Sequence, residues 1–546
     1  MLFMIANRLL RWIDETFLYL GREFRWSYLP PLMIYLAAGV QGLTAIVGTF
    51  YIKEYLDLTA TFLASLAFWA AIPWTLKMPL GHLVDLIWQR KTLLVYLGAT
   101  LITASLLIMY GVIAHTSAMA AIMPPEIWFV VAVLLAPSGY VLQDVVADAM
   151  TVEAVPTCDK EGKPYSASEI KAMHTTMQTL GRVSIIAGLM FVAALNITMF
   201  EDVETMSAQQ QLEIYADIYL MALVIPLLSI SGVVLARIQI RRRAKQLIDA
   251  GMDGADINSL LYGSNNGTQA NWWVLGGGLV FALFTISMGI SQLAFAQEII
   301  FTGSMAIVLF LMYRLLLELD DRARRMLIGT ALIIFAFRAV PLPGPGLGWF
   351  EIDELGFDQQ FLSVLSFIAS ALALLGMVIL RPMMARRSIV FVVLVLTIAG
   401  AVLSLPNIGL YYGLHEWTAA HSGGIVDARF IAIIDTAMES PLAQIAMIPM
   451  LAWIAQNAPP HLKATFFAVM ASFTNLALSA SSLGTKYINE IYTVTREVQD
   501  RVTGLSSSIA DYSQLGSLLI VVTLIGLLLP LLTILIVQRS PLRSEQ

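Results

Sequence analysis

Three carboxylates crowd into "QDVVADAMTVE" (143–153): Asp144, Asp148 and Glu153, closing a stretch with no charged residue after Glu126. Asp144 and Asp148 are four residues apart and share a helical face, where like charges repel. Two acids so placed call for a nearby cation, a shared proton or a polar ligand. Glu153 lies nine residues past Asp144, about 180° round a helix, so its neighbours differ. The candidate cations are Lys77, set between two prolines in "IPWTLKMPLGHLVDLIWQRK" (72–91), Arg90 in the same stretch, and Arg182 in "TLGRVSII". One expectation is that the acidic cluster locks to Arg90 at the cytoplasmic end of its helix. The other is that Asp144, which lies deeper, works directly on a ligand or proton.

A sparser set follows in the second half. Arg338 stands in "IIFAFRAVPLPGPG", Asp435 and Glu439 are again four apart in "IAIIDTAMESPLAQ", and Asn475 sits among small residues in "SFTNLALSASS". Charge inside a membrane helix costs roughly 2.5–3.5 kcal/mol on insertion scales, so each such residue needs a cavity or a partner. Arg338, Asp435 and Glu439 fit either a binding role or one ion pair across the bundle, while the small-residue run fits close helix packing.

Other chemistries lack their residues. No G-x-x-x-x-G-K-[ST] run exists for nucleotide phosphates. "HEWTAAH" (415–421) has the wrong spacing for a helix-borne zinc site and is expected in a loop. "GPGLG" (344–348) is expected to end a membrane helix, not to cradle phosphate. The single cysteine, Cys158, allows neither an intrachain disulfide nor a cysteine-rich metal site. The run "RRRAK" reads as a topogenic loop and not as a nucleic-acid site. No enzyme activity, cofactor or metal is expected.

The elements that must hold these residues are apolar helices. The 546 residues are 58% hydrophobic and 13% charged, against about a quarter charged in soluble domains. Apolar runs long enough to span a bilayer recur along the chain, giving about fourteen transmembrane helices. Arg90 with Lys91, Arg237 to Lys245, Arg322 to Arg325 and Arg386 with Arg387 mark alternate connections, whereas 116–126, 196–219 and 341–358 contain no Lys or Arg. The positive-inside rule then places the basic loops and both termini in the cytoplasm.

"LDLTATFLASLAF" (56–68) and "LGFDQQFLSVLSF" (355–367) match at Leu, Phe, Leu, Leu and Phe, and each begins a helix leading to a basic turn. The expected organisation is an all-α polytopic membrane protein built from two six-helix bundles. Residues 1–28 form an interfacial segment, 29–238 the first bundle and 239–271 a cytoplasmic linker. An inserted hairpin occupies 272–318, the second bundle 325–538 and a cytoplasmic tail 539–546. Parallel six-helix repeats with a site at their interface are the major-facilitator plan.

Gly81-x-x-x-Asp85 followed by Arg90 and Lys91 resembles the loop signature of the major facilitator superfamily, although a second glycine and the usual basic residue after the aspartate are missing. The resemblance implies a gating or structural role for Asp85, Arg90 and Lys91, which Glu153 is expected to share. Several stretches together are similar to the folate–biopterin transporter family of that superfamily: "FYIKEYLDLT", "IPWTLKMPLGHLVD", "QDVVADAMTVE", "DELGFDQQFL", "LLGMVILR" and "APPHLKATFFAVMASFTNLA". The Gln-Asp followed by a second Asp also resembles muropeptide permeases.

The folate–biopterin resemblance implies alternating-access, proton-coupled transport of a folate- or pterin-like anion in a bacterial inner membrane, with a monomer the simplest expectation. A carboxylate such as Asp144 or Asp148 matches a pterin's 2-amino and ring N–H edge through two parallel hydrogen bonds. Lys77, Arg182 and Arg338 are available for a glutamate tail. The alternatives are a muropeptide or other amphiphile permease and, in a different class, a non-transporting membrane scaffold.

Overall fold

The computed structural model describes residues 24–56, 58–75, 77–156, 165–201, 203, 206–249, 251–254, 272–290, 293, 295–317, 319–379, 388–440, 442, 463–499 and 506–543. The expected interfacial segment therefore lies almost wholly outside the described residues, as does Cys158. The first half comprises α1 (Trp26–Tyr55), α2 (Ala60–Thr75), α3 (Lys77–Leu86), α4 (Thr92–Ala114), α5 (Pro125–Ala154), α6 (Ala167–Met199) and α7 (Ala208–Asp249). Then come α8 (Trp272–Ile290) and α9 (Ala296–Leu316). The second half holds α10 (Asp321–Arg338), α11 (Pro345–Asp353), α12 (Gln359–Ile379), α13 (Ile389–Tyr411), α14 (Leu414–Ser422), α15 (Ala428–Glu439), α16 (Lys463–Ile491) and α17 (Leu515–Gln538). A small antiparallel pair, Val498–Gln499 with Ser506–Ser508, links the last two helices.

Among the described residues, eight helices are long and apolar enough to cross a membrane: α1, α4, α5, α6, α7, α12, α13 and α17. Several of the other expected spans are described only in part. Pro73 lies inside α2 and Pro79 near the start of the described α3, where each removes a backbone donor from the expected span at 58–84. Helix α10 opens on Asp321, Arg322, Arg324 and Arg325, and much of the expected span at 427–457 lies outside the described residues. The apolar parts of α8 and α9 are shorter, at Gly276–Met288 and Ala296–Phe310.

Starts are set by side chains that satisfy free backbone amides. Ser166 and Glu169 form a capping box before α6, and Ser207 and Gln210 form another before α7. Ser388 caps α13 and Asp427 caps α15. The basic run Arg241–Arg243 is helical, because α7 continues to Asp249. Two expectations need correction here. "HEWTAAH" lies on α14, not in a loop, and Gly344, at φ 79°, begins α11 instead of ending a membrane helix. Glycine alone adopts that left-handed conformation without strain.

The first half is tightly packed. Helices α4 and α5 meet at Gly98 and Gly139, where a Cβ on either would lie 2.5–2.6 Å from the other's carbonyl oxygen. Buried Gln143 ties three helices together: it donates to Val95 of α4 (3.4 Å) and accepts from Ser229 of α7 (2.9 Å). The two halves meet along two seams, α6 against α12 and α2 against α16. Each repeated apolar segment begins one of these seam helices, α2 and α12. Helices α8 and α9 pack on each other, with α8 against α3 and α9 against α16.

Candidate functional site

Lys77, at the start of the described α3, meets α5. Its ammonium binds Asp144 Oδ2 at 2.6 Å and Asp148 Oδ2 at 2.8 Å. Tyr35, from α1, donates its hydroxyl to Asp148 Oδ1 at 2.7 Å. Arg182 on α6 is exposed and lies within electrostatic reach of Asp144 and Tyr35. Helices α1, α3, α5 and α6 thus converge on one cluster. One ammonium shared by two carboxylates removes most of the repulsion that their spacing creates.

The side chains of Lys77, Asp144 and Asp148 remain 31%, 22% and 46% exposed. Charges this open carry a large penalty if they face hydrocarbon, so the arrangement calls for water or a polar ligand beside them. Tyr35 has no signal in the sequence beyond being an aromatic in an apolar helix. Its role emerges only from the packing of α1 beside α5.

Glu153 has separate company. Its carboxylate pairs with Lys91, whose side chain is buried and stacks 4.0 Å over the Trp88 ring. The expected partner, Arg90, is exposed in the turn Trp88–Arg90 and forms no ion pair among the described residues. Lys91 is the better placed because it caps α4 and points back under α5, whereas Arg90 points out to solvent. Asp85 lies on α3, and its side chain is outside the described residues.

The second-half candidates do not form one site. Asp435 of α15 is buried and accepts a hydrogen bond from Asn407 Nδ2 of α13 at 3.2 Å. Glu439, one turn on, is exposed. Arg338 ends α10, half-buried. Among the described residues neither Asp435 nor Glu439 joins an ion pair. Asn475 lies at a seam, where it donates to the Trp74 carbonyl (3.3 Å) on α2. Sequence reasoning also missed Glu351 of α11, which lies within electrostatic reach of Asp435. The described residues hold no group of three or more His, Cys, Asp or Glu arranged for a metal.

A sequence model of the BT1 family matches residues 38–545. The chain belongs to the BT1 family. A folate-biopterin transporter from Synechocystis sp. is 27% identical over 156 residues, 29% of this chain, and the match covers 30% of that relative's length. Among solved structures, a POT family transporter in complex with a thioalcohol-conjugated peptide superposes with a TM-score of 0.59 at 12% identity, covering 94% of this chain and 96% of its own. A D-xylose–proton symporter gives a TM-score of 0.51 at 11% identity, covering 93% and 95%. This BT1-family chain is an all-α, multi-pass integral membrane protein that shares its fold with those transporters.

Proposed function

We propose that this protein is a secondary active transporter that works by alternating access and carries a folate- or pterin-like organic anion together with protons. The observation that carries this reading is the partly exposed Lys77–Asp144–Asp148–Tyr35 cluster, with Arg182 beside it. A pterin edge offers two parallel N–H donors to a carboxylate, and displacement of Lys77 from Asp148 frees one. Arg182 supplies a cation for the ligand's own carboxylate. A proton arriving on Asp144 neutralises one of the two acids that hold Lys77, so protonation and ligand binding alter the same contact. The name of the Synechocystis relative supports the substrate class. The cell context is a bacterial inner membrane with both termini cytoplasmic, following the basic loops, and the working unit is a monomer.

The test is uptake of radiolabelled folate into proteoliposomes under an imposed pH gradient, with anhydromuropeptide as the competing substrate. Folate accumulation that collapses with the gradient is expected. Uptake of muropeptide alone overturns the folate assignment. Absence of any flux from protein that copurifies with a large complex favours a scaffold.

A further inference from the structure

Arg496, in the connection between α16 and α17, takes no part in the cluster above, yet it is the most heavily engaged cation among the described residues. Its side chain is only 3% exposed. Nε donates to the Lys53 carbonyl (2.8 Å), Nη1 to Leu58 (2.6 Å), and Nη2 to Ile52 (2.7 Å) and Leu56. These carbonyls belong to the C-terminal end of α1 and the turn that follows, where a helix runs out of its own amide donors. The planar five-donor fork of arginine suits four acceptors arrayed this way, as a lysine does not. Behind it, the guanidinium lies 4.1 Å over the ring of Trp349 on α11. Arg496 is therefore pinned between the first half of the chain and the second.

The same turn of α1 makes a second crossing. Lys53 pairs with Asp353 of α11, and Asp353 also accepts from the Tyr512 hydroxyl at the start of α17. Nearby, Gln359 of α12 donates to the Tyr215 hydroxyl of α7 (2.7 Å), and Gln360 to the Ile197 carbonyl of α6 (3.3 Å). All these links lie at the end of the bundle opposite the basic loops. The contacts are polar, so water can replace them when the halves part, which an apolar seam does not allow. Arg496 stands on a short platform: Thr495 pairs with Asp511, and Val498–Gln499 with Ser506–Ser508.

We infer that Arg496 is the latch that holds the two halves shut at the end opposite the basic loops, with Lys53–Asp353 as its auxiliary clasp. This rests on the alternating-access reading but not on the identity of the substrate. Opening that end withdraws the guanidinium from all four carbonyls at once, so closure is all-or-none at this point and not gradual. A BT1-family transporter latched here presents its partly exposed cluster to the side of the basic loops.

The experiment measures spin-label distances by double electron–electron resonance in lipid nanodiscs. Labels are placed at Ile122→Cys and Ile425→Cys, exposed positions in opposite halves at the latched end, on a Cys158→Ser background. The unaltered latch is expected to give a predominantly short distance. Arg496→Ala should raise the ratio of long to short distances by about tenfold or more, since the closed state loses four charge-assisted hydrogen bonds that the open state never made. Arg496→Lys and Asp353→Asn should give smaller shifts in the same direction. A folded Arg496→Ala protein with an unchanged distance distribution overturns the inference. Should Arg496→Ala fail to fold, unchanged distributions in both Arg496→Lys and Asp353→Asn overturn it equally. No substrate or proton gradient is present, so failure of folate uptake and failure of the latch are separate outcomes.

Discussion

The two halves each carry a pair of acids four residues apart, Asp144/Asp148 on α5 and Asp435/Glu439 on α15, and the pairs differ in everything but spacing. In the first half Lys77 of α3 sits between both carboxylates, and a tyrosine binds one of them. In the second half the inner acid is buried against an amide, Asn407, and the outer one is exposed. The first arrangement is a charge balance that one proton or one ligand can tip. The second is a single polar anchor between two helices. Equal spacing guarantees a shared face; what that face meets is decided by a different helix.

The comparison is broken most directly at Lys77. Replacing it by methionine leaves two carboxylates facing each other without their cation, which is strongly destabilising for a buried pair and less so here because the cluster is partly hydrated. Folate uptake in proteoliposomes is expected to fall by roughly a hundredfold or more, with a lowered melting temperature. Adding Asp144→Asn to Lys77→Met should restore much of the melting temperature without restoring uptake. Near-normal uptake by Lys77→Met would erase the distinction between the halves.

Asp144→Asn alone should leave membrane insertion near normal, because a neutral side chain is cheaper to insert. Its uptake should lose dependence on the proton gradient, with the coupled rate down by about tenfold or more. Uptake that still follows the gradient removes Asp144 from the coupling step. The matching substitution in the other half, Asp435→Asn, keeps a partner for Asn407 and breaks no ion pair. Uptake should change by less than about threefold, which is the scale of one neutral hydrogen bond. A loss as large as that of Lys77→Met would show that the second half carries a charge switch of its own.

The sequence carried the outline of this fold and part of the site. Apolar run lengths marked the helices, and Lys77 between Pro73 and Pro79 stood out as a charge within one of them. The helical wheel separated Glu153 from the two aspartates, but Lys91, and not Arg90, turned out to hold it, because adjacent residues in a turn point opposite ways and sequence alone does not say which turns inward. Asn475 drew attention as a polar side chain among small residues, and its bond to the Trp74 carbonyl becomes visible only when α16 is packed beside α2. Arg496 had no local signal at all. It stands in a connection that reads as ordinary loop, and its four acceptors lie more than four hundred residues earlier in the chain.

The smallest expected effect concerns Glu351, at the edge of the second-half anchor. It belongs to α11, in the connection between spans, where burial and then the charge of Asp435 push its carboxyl up from the usual glutamate range to about 7. An acid whose folded-state value is raised above its unfolded value favours folding fully at low pH, and that contribution disappears as pH climbs from the unfolded value toward the folded one. Thermal stability of the detergent-purified protein should therefore decline between about pH 4.5 and 7. Glu351→Gln, which has no charge to lose, should flatten the decline over that window. Because Glu351 makes no ion pair among the described residues, the change is expected to be a few degrees in melting temperature. A profile as steep in Glu351→Gln as in the parent protein would mean that this carboxyl is already solvated and has no share in the protein's response to pH.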